Sequence, residues 1–194
     1  MIRLALLRHG HTAWNRAGRV QGRSDIPLDA VARADLSRLR IPAPWTDTDL
    51  VSSPLSRAVE TAMLVAGRAP RPVAALTEMN WGDWEGREAA ALRADPACDH
   101  RDIEDWSWHY RPPGGESPAE VRARVLAWRD ALTRDTLAVC HIGVMRVLLA
   151  DGTGWDFSGP APFAVKRNRL FVLERTAAGW RHLPDTPRLE DRPE

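Results

Sequence analysis

The chain has 194 residues, a length that suits one globular domain with a large buried core. Lys and Arg total 27 and Asp and Glu total 26, and the resulting net charge of +1 argues against nucleic acid or an anionic membrane as the main partner. No uncharged apolar window approaches about 18 residues, so we expect no transmembrane helix. The N-terminal MIRLALLRHG is too short and too soon charged for a signal peptide, and we therefore predict a soluble, cytoplasmic protein.

The cysteine and tryptophan contents also bear on the protein class. Two cysteines, Cys98 and Cys140, are too few for a disulfide scaffold and favour a reducing compartment. Cys140 lies in the apolar run TLAVCH, which predicts a buried thiol. Nine tryptophans are many for one domain, and we expect most of them in the core or on amphipathic surfaces.

Short β-like runs alternate with helical patterns along the chain, which is typical of an α/β fold. In chain order, the first predicted elements are a strand at 2–7, a helix at 27–40 and a strand at 49–53. A helix opened by Ser53 and Pro54 and ended at Gly67 follows, and then a strand at 72–76 and an irregular segment at 80–114. The last predicted elements are a helix opened by the capping box of Ser117 and Glu120, a strand at 136–140, a helix at 143–150, and a hairpin from 168–175 and 179–183. We expect one domain over residues 1–183 and a loose tail over 184–194.

Charged residues follow four of the predicted strands, near the point where each strand ends. Arg8 and His9 come directly after the first strand, and Arg57 lies in the first turn of the helix after the second. Glu78 and His141 follow the strands at 72–76 and 136–140. Because the carboxyl ends of parallel strands share one edge of a sheet, we expect these five side chains to meet there.

The predicted helix starts at residues 54 and 143 would add free N–H groups at the same edge, which favours an anion site. Each side chain alone has a simpler structural explanation: Arg57, for example, is spaced to pair with Glu60 on the helix surface. Together they combine a potential imidazole nucleophile, two guanidinium groups that match phosphate oxygens, and a carboxyl group that can give a proton. The set predicts phosphoryl transfer through a phosphohistidine, without a metal or another cofactor.

The motifs that carry these residues resemble those of the histidine phosphatase superfamily, also called phosphoglycerate mutase-like. The resemblance extends over residues 2 to about 150, through LLRHGHTAWN, QGRSDIPLD, SSPLSRAVETA, LTEMNWGDWEG, PPGGESPAEVRARV and AVCHIGVMRVLL, in the family's order. It implies a three-layer α/β/α fold with a mostly parallel mixed sheet. It also implies that His9 is the nucleophile, that Arg8, Arg57 and His141 bind the phosphoryl group with help from Asn15, and that Glu78 is the proton donor.

The sequence departs from the family pattern at two positions: His11 replaces the usual Glu or Gln, and Ala32 stands where a glycine is usual. The MNWGDWEG segment resembles the phosphatase branch, and the short stretch between Glu78 and His141 predicts a small lid that admits water. We therefore expect a metal-independent phosphomonoesterase acting on a small molecule, with phosphoglycerate mutase-type transfer as the alternative. The sequence leaves the identity of the substrate and the oligomeric state open.

Two rival functions come from other classes. His9 and His11 form an H-x-H pattern, as in metal-dependent hydrolases, but no convincing aspartate follows and the nearby arginines would repel a cation. A non-catalytic binding protein of the same fold is the other rival.

Two finer expectations concern the chemistry and the specificity. We expect a protonated His141 to offset charge in the transition state. Trp106 and Trp108 are two residues apart, so in an extended segment they face one way and would stack on a flat alcohol group. The alternative is that both cover the core.

Overall fold

A six-stranded mixed sheet forms the centre of the structure. The computed structural model describes residues 1–102 and 105–193; Ile103 and Glu104, which fall in the segment predicted to be irregular, and Glu194 lie outside the described residues. The strands are β1 (Arg3–Arg8), β2 (Leu39–Arg40), β3 (Asp49–Ser52), β4 (Arg71–Pro72), β5 (Thr136–Cys140), β6 (Leu170–Thr176), β7 (Gly179–His182) and β8 (Glu190–Asp191). The helices are α1 (Ala13–Arg16), α2 (Ala30–Ser37), α3 (Ser56–Ala66), α4 (Ala89–Ala94), α5 (Pro118–Asp130) and α6 (Ile142–Thr153).

The strand order is β4-β3-β5-β1-β6-β7. The first four strands of this order are parallel, and β6 and β7 form an antiparallel hairpin at the other side of β1. The predicted α/β fold with a mostly parallel mixed sheet and a closing hairpin is therefore confirmed.

Both faces of the sheet are covered, which explains why the first strand is a continuous apolar run. Leu4 and Leu6 point into a core cluster that includes α5 and α6, whereas Ala5 and Leu7 point into a second cluster that includes α2 and α3. All four side chains are fully buried, as is the Cys140 thiol on the neighbouring β5. The result is the three-layer arrangement that the sequence predicts.

Three predicted boundaries are wrong. The helix predicted at 27–40 is only α2, because the Asp29 side chain caps it at Ala32 N and the chain then turns into β2. The strand predicted at 72–76 is limited to β4, and a 3₁₀ turn at Ala74–Leu76 follows it. Helix α3 begins at Ser56 and not at Pro54.

The chain end was predicted to be loose from Pro184, but the structure packs its last described residues against the domain. Strand β8 pairs with β2, and Leu189 is buried in the cluster with α2 and α3. The Arg192 side chain donates to the carbonyl oxygens of Leu39 and Leu64, at 3.0 and 2.8 Å. Leu189 is a single apolar residue in a polar segment and forms no periodic pattern, so the sequence did not predict this contact.

The packing of the chain end leads to a stability prediction. Leu189→Ala is expected to lower the free energy of unfolding by about 2 kcal/mol, the low end for a buried leucine at the edge of a core. Urea unfolding followed by tryptophan fluorescence measures this, with exposed Arg188→Ala as the matched control. Equal stability of the two variants would mean that the tail contributes nothing to the fold.

Among the described residues, no helix combines the length and apolarity needed to cross a bilayer.

Candidate active site

The central pair of parallel strands brings two histidines together at the carboxyl edge of the sheet. Arg8 of β1 lies in register with Cys140 of β5, so His9 and His141 follow at equivalent positions. The His9 N–H donates to the Cys140 carbonyl oxygen at 3.0 Å, which keeps the two chains together beyond the last strand residues. The ring centroids of His9 and His141 are 5.1 Å apart with the planes inclined at 58°.

The hydrogen bond of the His9 ring shows which of its two nitrogens is protonated. His9 Nδ1 lies 2.6 Å from the carbonyl oxygen of Gly10. A carbonyl oxygen only accepts, so Nδ1 carries the proton and the lone pair of the neutral ring is on Nε2. Burial and the nearby Arg57 and Arg8 guanidinium groups hold the pKa of His9 well below its usual range. His9 is therefore a neutral imidazole with one nitrogen fixed and the other available as a nucleophile.

His141 has the opposite tautomer. Its Nδ1 accepts from Arg57 Nε at 3.3 Å, and its Nε2 donates to Ser53 Oγ at 2.7 Å. Burial, His9 and Arg57 lower the pKa of His141 well below the usual value. The ring is therefore neutral in the ligand-free protein, and the expectation of a protonated His141 in the transition state stays a prediction.

Arg57 is fully buried at the start of α3. Its Nη1 and Nη2 donate to the carbonyl oxygens of Ser24 and Gly22, at 2.8 and 2.6 Å. The ion pair with Glu60 suggested by the spacing does not form, because Glu60 pairs with Arg33 at 2.8 Å. Arg57 is thus part of the site and not of the helix surface.

The carboxyl group of Glu78 is buried against the beginning of α6. Its two oxygens accept from the N–H groups of Met79 at 2.8 Å and Gly143 at 3.1 Å. A Cβ atom at position 143 would meet Glu78 Oε1 at 2.5 Å, so only glycine allows this approach. Burial raises the pKa of Glu78, and the two N–H donors and Arg57 oppose the rise.

The predicted supply of free helix N–H groups to an anion is therefore not what the structure shows. The N–H of Gly143 at the start of α6 is bound by the Glu78 carboxyl group. At the start of α3, the Ser56 N–H and Oγ both donate to Asp25 Oδ1 at 2.8 Å. Carboxylates of the protein occupy these two backbone donors, which leaves the guanidinium groups of Arg8 and Arg57 as the candidates for binding an anion.

Arg8 supplies a buried donor without a partner in the described part of the chain. Its Nε is buried and has no hydrogen-bond acceptor within the part of the chain that the structure describes. Burial and the positive charges of Arg167 and Arg146 lower the pKa of Arg8 to about 9, so the group stays cationic at neutral pH. A buried, charged donor without an acceptor is costly unless an anion binds to it.

Asn15 has a structural task in the ligand-free protein. It completes the capping box of α1 with Thr12, and its Nδ2 donates to Gln21 Oε1 at 3.0 Å. Its Oδ1 accepts from Arg167 Nη2 at 3.0 Å. The resemblance assigns Asn15 to phosphoryl binding, and this role stays a prediction.

Sequence reasoning missed Arg167, whose Nε donates to the carbonyl oxygen of His9 at 3.1 Å. Burial lowers its pKa to about 10. The predicted hairpin at the chain end could have revealed Arg167. Strand β6 is antiparallel to β1, with Leu170 opposite Leu7, so the residues just before β6 lie at the same edge of the sheet as His9. Arg167 therefore adds a further guanidinium group beside His9.

Glu85 organises the loop that holds Arg57. One carboxylate oxygen accepts from the Arg23 and Trp81 N–H groups at 2.7 and 3.2 Å, and the other accepts from the Ser24 N–H and Oγ at 2.8 and 2.5 Å. These bonds and the neighbouring donors lower the pKa of Glu85 although burial opposes this. A Cβ atom at Gly22 would collide with Glu85 Oε1, so the loop closes tightly around this carboxylate.

The two histidines of the H-x-H pattern have different surroundings. His11 lines a separate cavity between α2 and Arg167, away from His141. Within residues 1–102 and 105–193, no three His, Cys, Asp or Glu side chains form a group suited to a metal ion.

The tryptophan pair predicted to share one face is divided. Trp106 is buried against Tyr110 and Phe157, with ring centroids 5.2 and 6.1 Å away. Trp108 packs edge-on against Phe157 and lines a different surface groove with Arg122. Both rings thus pack against aromatic side chains that cover the core, which is the alternative that the sequence left open.

The Glu85 contacts predict an indirect effect on anion binding. Glu85→Gln loses part of the loop bonding, so the carbonyl oxygens of Gly22 and Ser24 no longer fix the Arg57 guanidinium. We expect the affinity for inorganic phosphate, measured by calorimetry, to fall about tenfold, the scale for loss of a supporting group. Exposed Glu88→Gln is the matched control.

A double-mutant cycle distinguishes positioning from general destabilisation. In an Arg57→Ala background, Glu85→Gln should weaken phosphate binding little further, because the group it positions is gone. Full additivity of the two losses would contradict a role through Arg57.

Comparison with known proteins places this geometry in a family. The family model of the histidine phosphatase superfamily (branch 1) matches residues 4–183. A probable phosphoglycerate mutase of Proteus mirabilis is 35% identical over 132 residues, which span 66% of this chain and 61% of that protein. A glucosyl-3-phosphoglycerate phosphatase of Mycolicibacterium vanbaalenii is 36% identical over 174 residues, which span 76% of this chain and 72% of that protein.

Solved structures agree with the sequence comparison. A phosphoglycerate mutase from Thermus thermophilus superposes with a TM-score of 0.74 at 33% identity and covers 97% of this chain and 98% of its own. The sheet order, the paired histidines and the family match together show that the chain belongs to the histidine phosphatase superfamily.

Proposed function

We propose that this protein is a metal-independent phosphomonoesterase that forms a phosphohistidine on His9. The observation that carries the proposal is the hydrogen bond from His9 Nδ1 to the Gly10 carbonyl oxygen, because it leaves the Nε2 lone pair as the reactive site. The buried cations around His9 suit a phosphoryl dianion and would repel a metal ion.

In the first half-reaction, His9 Nε2 forms a bond to phosphorus in line with the breaking P–O ester bond. Arg8 and Arg57 offset the charge on the non-bridging oxygens, and the unpartnered Arg8 Nε gains an acceptor. The departing alcohol oxygen takes the proton of Glu78, whose burial keeps the carboxyl group protonated to a higher pH than usual.

In the second half-reaction, the Glu78 carboxylate takes a proton from water as the water oxygen attacks phosphorus. The P–N bond breaks, inorganic phosphate forms, and both His9 and Glu78 return to their starting protonation states. One carboxyl group thus acts first as an acid and then as a base.

The role of His141 follows from its neutral state in the ligand-free protein. Its Nδ1 accepts from Arg57 Nε, whereas a phosphoryl oxygen requires a donor there. We therefore infer that a bound dianion raises the pKa of His141 and that the ring takes up a proton on binding, since an adjacent negative charge favours the cationic form.

We propose hydrolysis, and not transfer to a second substrate, because the MNWGDWEG segment resembles the phosphatase branch of the family. The relatives include both a mutase and a phosphatase by name, so they support phosphoryl transfer in general.

Labelling tests the phosphoenzyme. When the protein is mixed with a ³²P-labelled phosphomonoester and quenched in alkali, which preserves phosphohistidine, we expect label on the wild type and none on His9→Ala. Exposed His109→Ala should label normally. Equal labelling of His9→Ala and wild type would refute the assignment, and label passing to an added alcohol instead of water would favour transfer.

The pKa of Glu78 predicts a pH dependence. An acid is competent below its pKa, so kcat on an alkyl phosphate should fall as pH rises through the raised pKa of Glu78. Glu78→Gln should remove this decline and reduce kcat by about 10² to 10⁴-fold on alkyl esters. The reduction should be much smaller on p-nitrophenyl phosphate, whose leaving group needs no proton; an equal reduction on both esters would indicate a positioning role.

A further inference from the structure

A cavity of about 390 Å³ lies against the β6–β7 hairpin, at the edge of the sheet. Phe171 and Leu173 point to the same face of β6, and His182 of β7 is paired with Leu173, so Phe171 and His182 project from that face together. Members of the segments 162–166 and 184–186 complete the lining. None of the lining residues was placed around His9, and we call this space the hairpin cavity.

Aromatic rings form much of the hairpin cavity. The rings of Phe171 and His182 are stacked, with centroids 6.2 Å apart and planes inclined at 21°, and the half-buried Phe163 ring lies 6.5 Å from His182. Burial lowers the pKa of His182, so its ring is neutral at neutral pH. Its Nε2 is buried and has no hydrogen-bond partner in the described ranges. The cavity thus offers a flat, mostly apolar contact surface.

The charged side chains that line the hairpin cavity are all cationic. Lys166, the one lysine of the sequence, is exposed, and Arg169 donates through Nη1 to the carbonyl oxygen and Oγ1 of Thr186, at 3.2 and 3.3 Å. Neither cation has a carboxylate partner within the part of the chain that the structure describes. On the other face of the same hairpin, by contrast, Arg181 pairs with Glu174 at 2.7 Å. The protein therefore leaves the positive charge of this cavity uncompensated.

The hairpin cavity is separate from the candidate active site. Lys166 lines it, whereas the next residue, Arg167, donates to the carbonyl oxygen of His9 and lines a different cavity with His11. A ligand in the hairpin cavity would therefore contact other side chains than a phosphoryl group at His9 does.

We propose that the hairpin cavity is a second ligand site, which binds a small aromatic acid. The anionic group of the ligand pairs with Lys166 and Arg169, the two cations that lack a carboxylate partner. Its flat body lies against the rings of Phe163 and His182. The volume of about 390 Å³ is at the lower end of the range for small-molecule sites. This site does not use the chemistry proposed for His9, so the two proposals stand or fall separately.

The single lysine makes the site visible by NMR. Lysine labelled with ¹³C at Cε gives one side-chain signal, that of Lys166. We expect indole-3-acetate to move this signal in a saturable manner, with a dissociation constant of about a millimolar or less, as is usual for a ligand of this size. Indole-3-acetamide, which lacks the charge, and acetate, which lacks the ring, should each bind about tenfold or more weakly.

Three results of this titration would overturn the proposal. The first is no binding of indole-3-acetate at all. The second is a Lys166 signal that stays fixed while indole-3-acetate binds elsewhere. The third is equal affinity for indole-3-acetate and indole-3-acetamide, because the cavity would then not recognise charge.

Variants connect the binding to the two cations. Lys166→Gln and Arg169→Gln are each expected to weaken indole-3-acetate binding about fivefold in calorimetry, the scale of a partly exposed ion pair. Arg169→Lys should retain most of the affinity because the charge stays. Arg175→Gln, an exposed arginine of β6 outside the cavity, is the matched control and should bind as the wild type does. Unchanged affinity in both glutamine variants, or an equal loss in the control, would contradict the proposal.

The His9→Ala protein separates this site from the catalytic one. We expect indole-3-acetate to move the Lys166 signal of this variant with the same dissociation constant as in the wild type, whether or not His9 forms a phosphoenzyme. Loss of the Lys166 response in His9→Ala would place the binding at the candidate active site and refute a second site.

Discussion

The buried positive charge of Arg57 is the constraint around which this site is built. Its guanidinium is fully buried, and in the described structure it is held by two backbone carbonyl oxygens and a histidine nitrogen without a salt bridge. Burying a cation without a carboxylate is costly, and carbonyl dipoles offset only part of that cost. An ion pair would have neutralised the positive charge that the proposed function assigns to the phosphoryl group.

The rest of the site follows from holding this cation in place. Glu85 fixes the loop that presents the carbonyl oxygens of Gly22 and Ser24, while Asp25 in the same loop binds the start of α3, on which Arg57 stands. Glu78, Glu85 and Asp25 therefore bind backbone N–H groups, and no described ion pair joins them to the guanidinium groups of Arg8 or Arg57. Burial, together with the cations that surround both rings, lowers the pKa of His9 and of His141 and keeps both rings neutral.

The sequence was informative where function coincides with strand ends. Arg8, His9 and His141 could be placed because a buried parallel strand has a readable apolar run and a definite end. Arg57 and Glu78 were also predicted close enough to be grouped with them. This held although no side chain caps the start of α3 and Glu78 follows a 3₁₀ turn where a strand was predicted.

The residues that were missed share a different property: their position depends on contacts between distant segments. Arg167 reaches His9 because an antiparallel strand returns to β1, and Glu85 acts across the 21–25 loop. Neither contact has a local pattern in the sequence. Likewise Leu189 is a lone apolar residue in a polar tail, and only the pairing of β8 with β2 shows that it is buried.

The position of β1 in the sheet has a consequence for how the protein is made. Both of its neighbours, β5 and β6, come from the last third of the chain, so the strand that carries His9 has no partner until most of the polypeptide has been synthesised. Its apolar run, LALL, then presents two open edges, the situation in which nascent chains pair wrongly or associate with one another. Since contacts so distant in sequence also slow folding, His9 is among the first parts of the chain to be synthesised and among the last to acquire its surroundings.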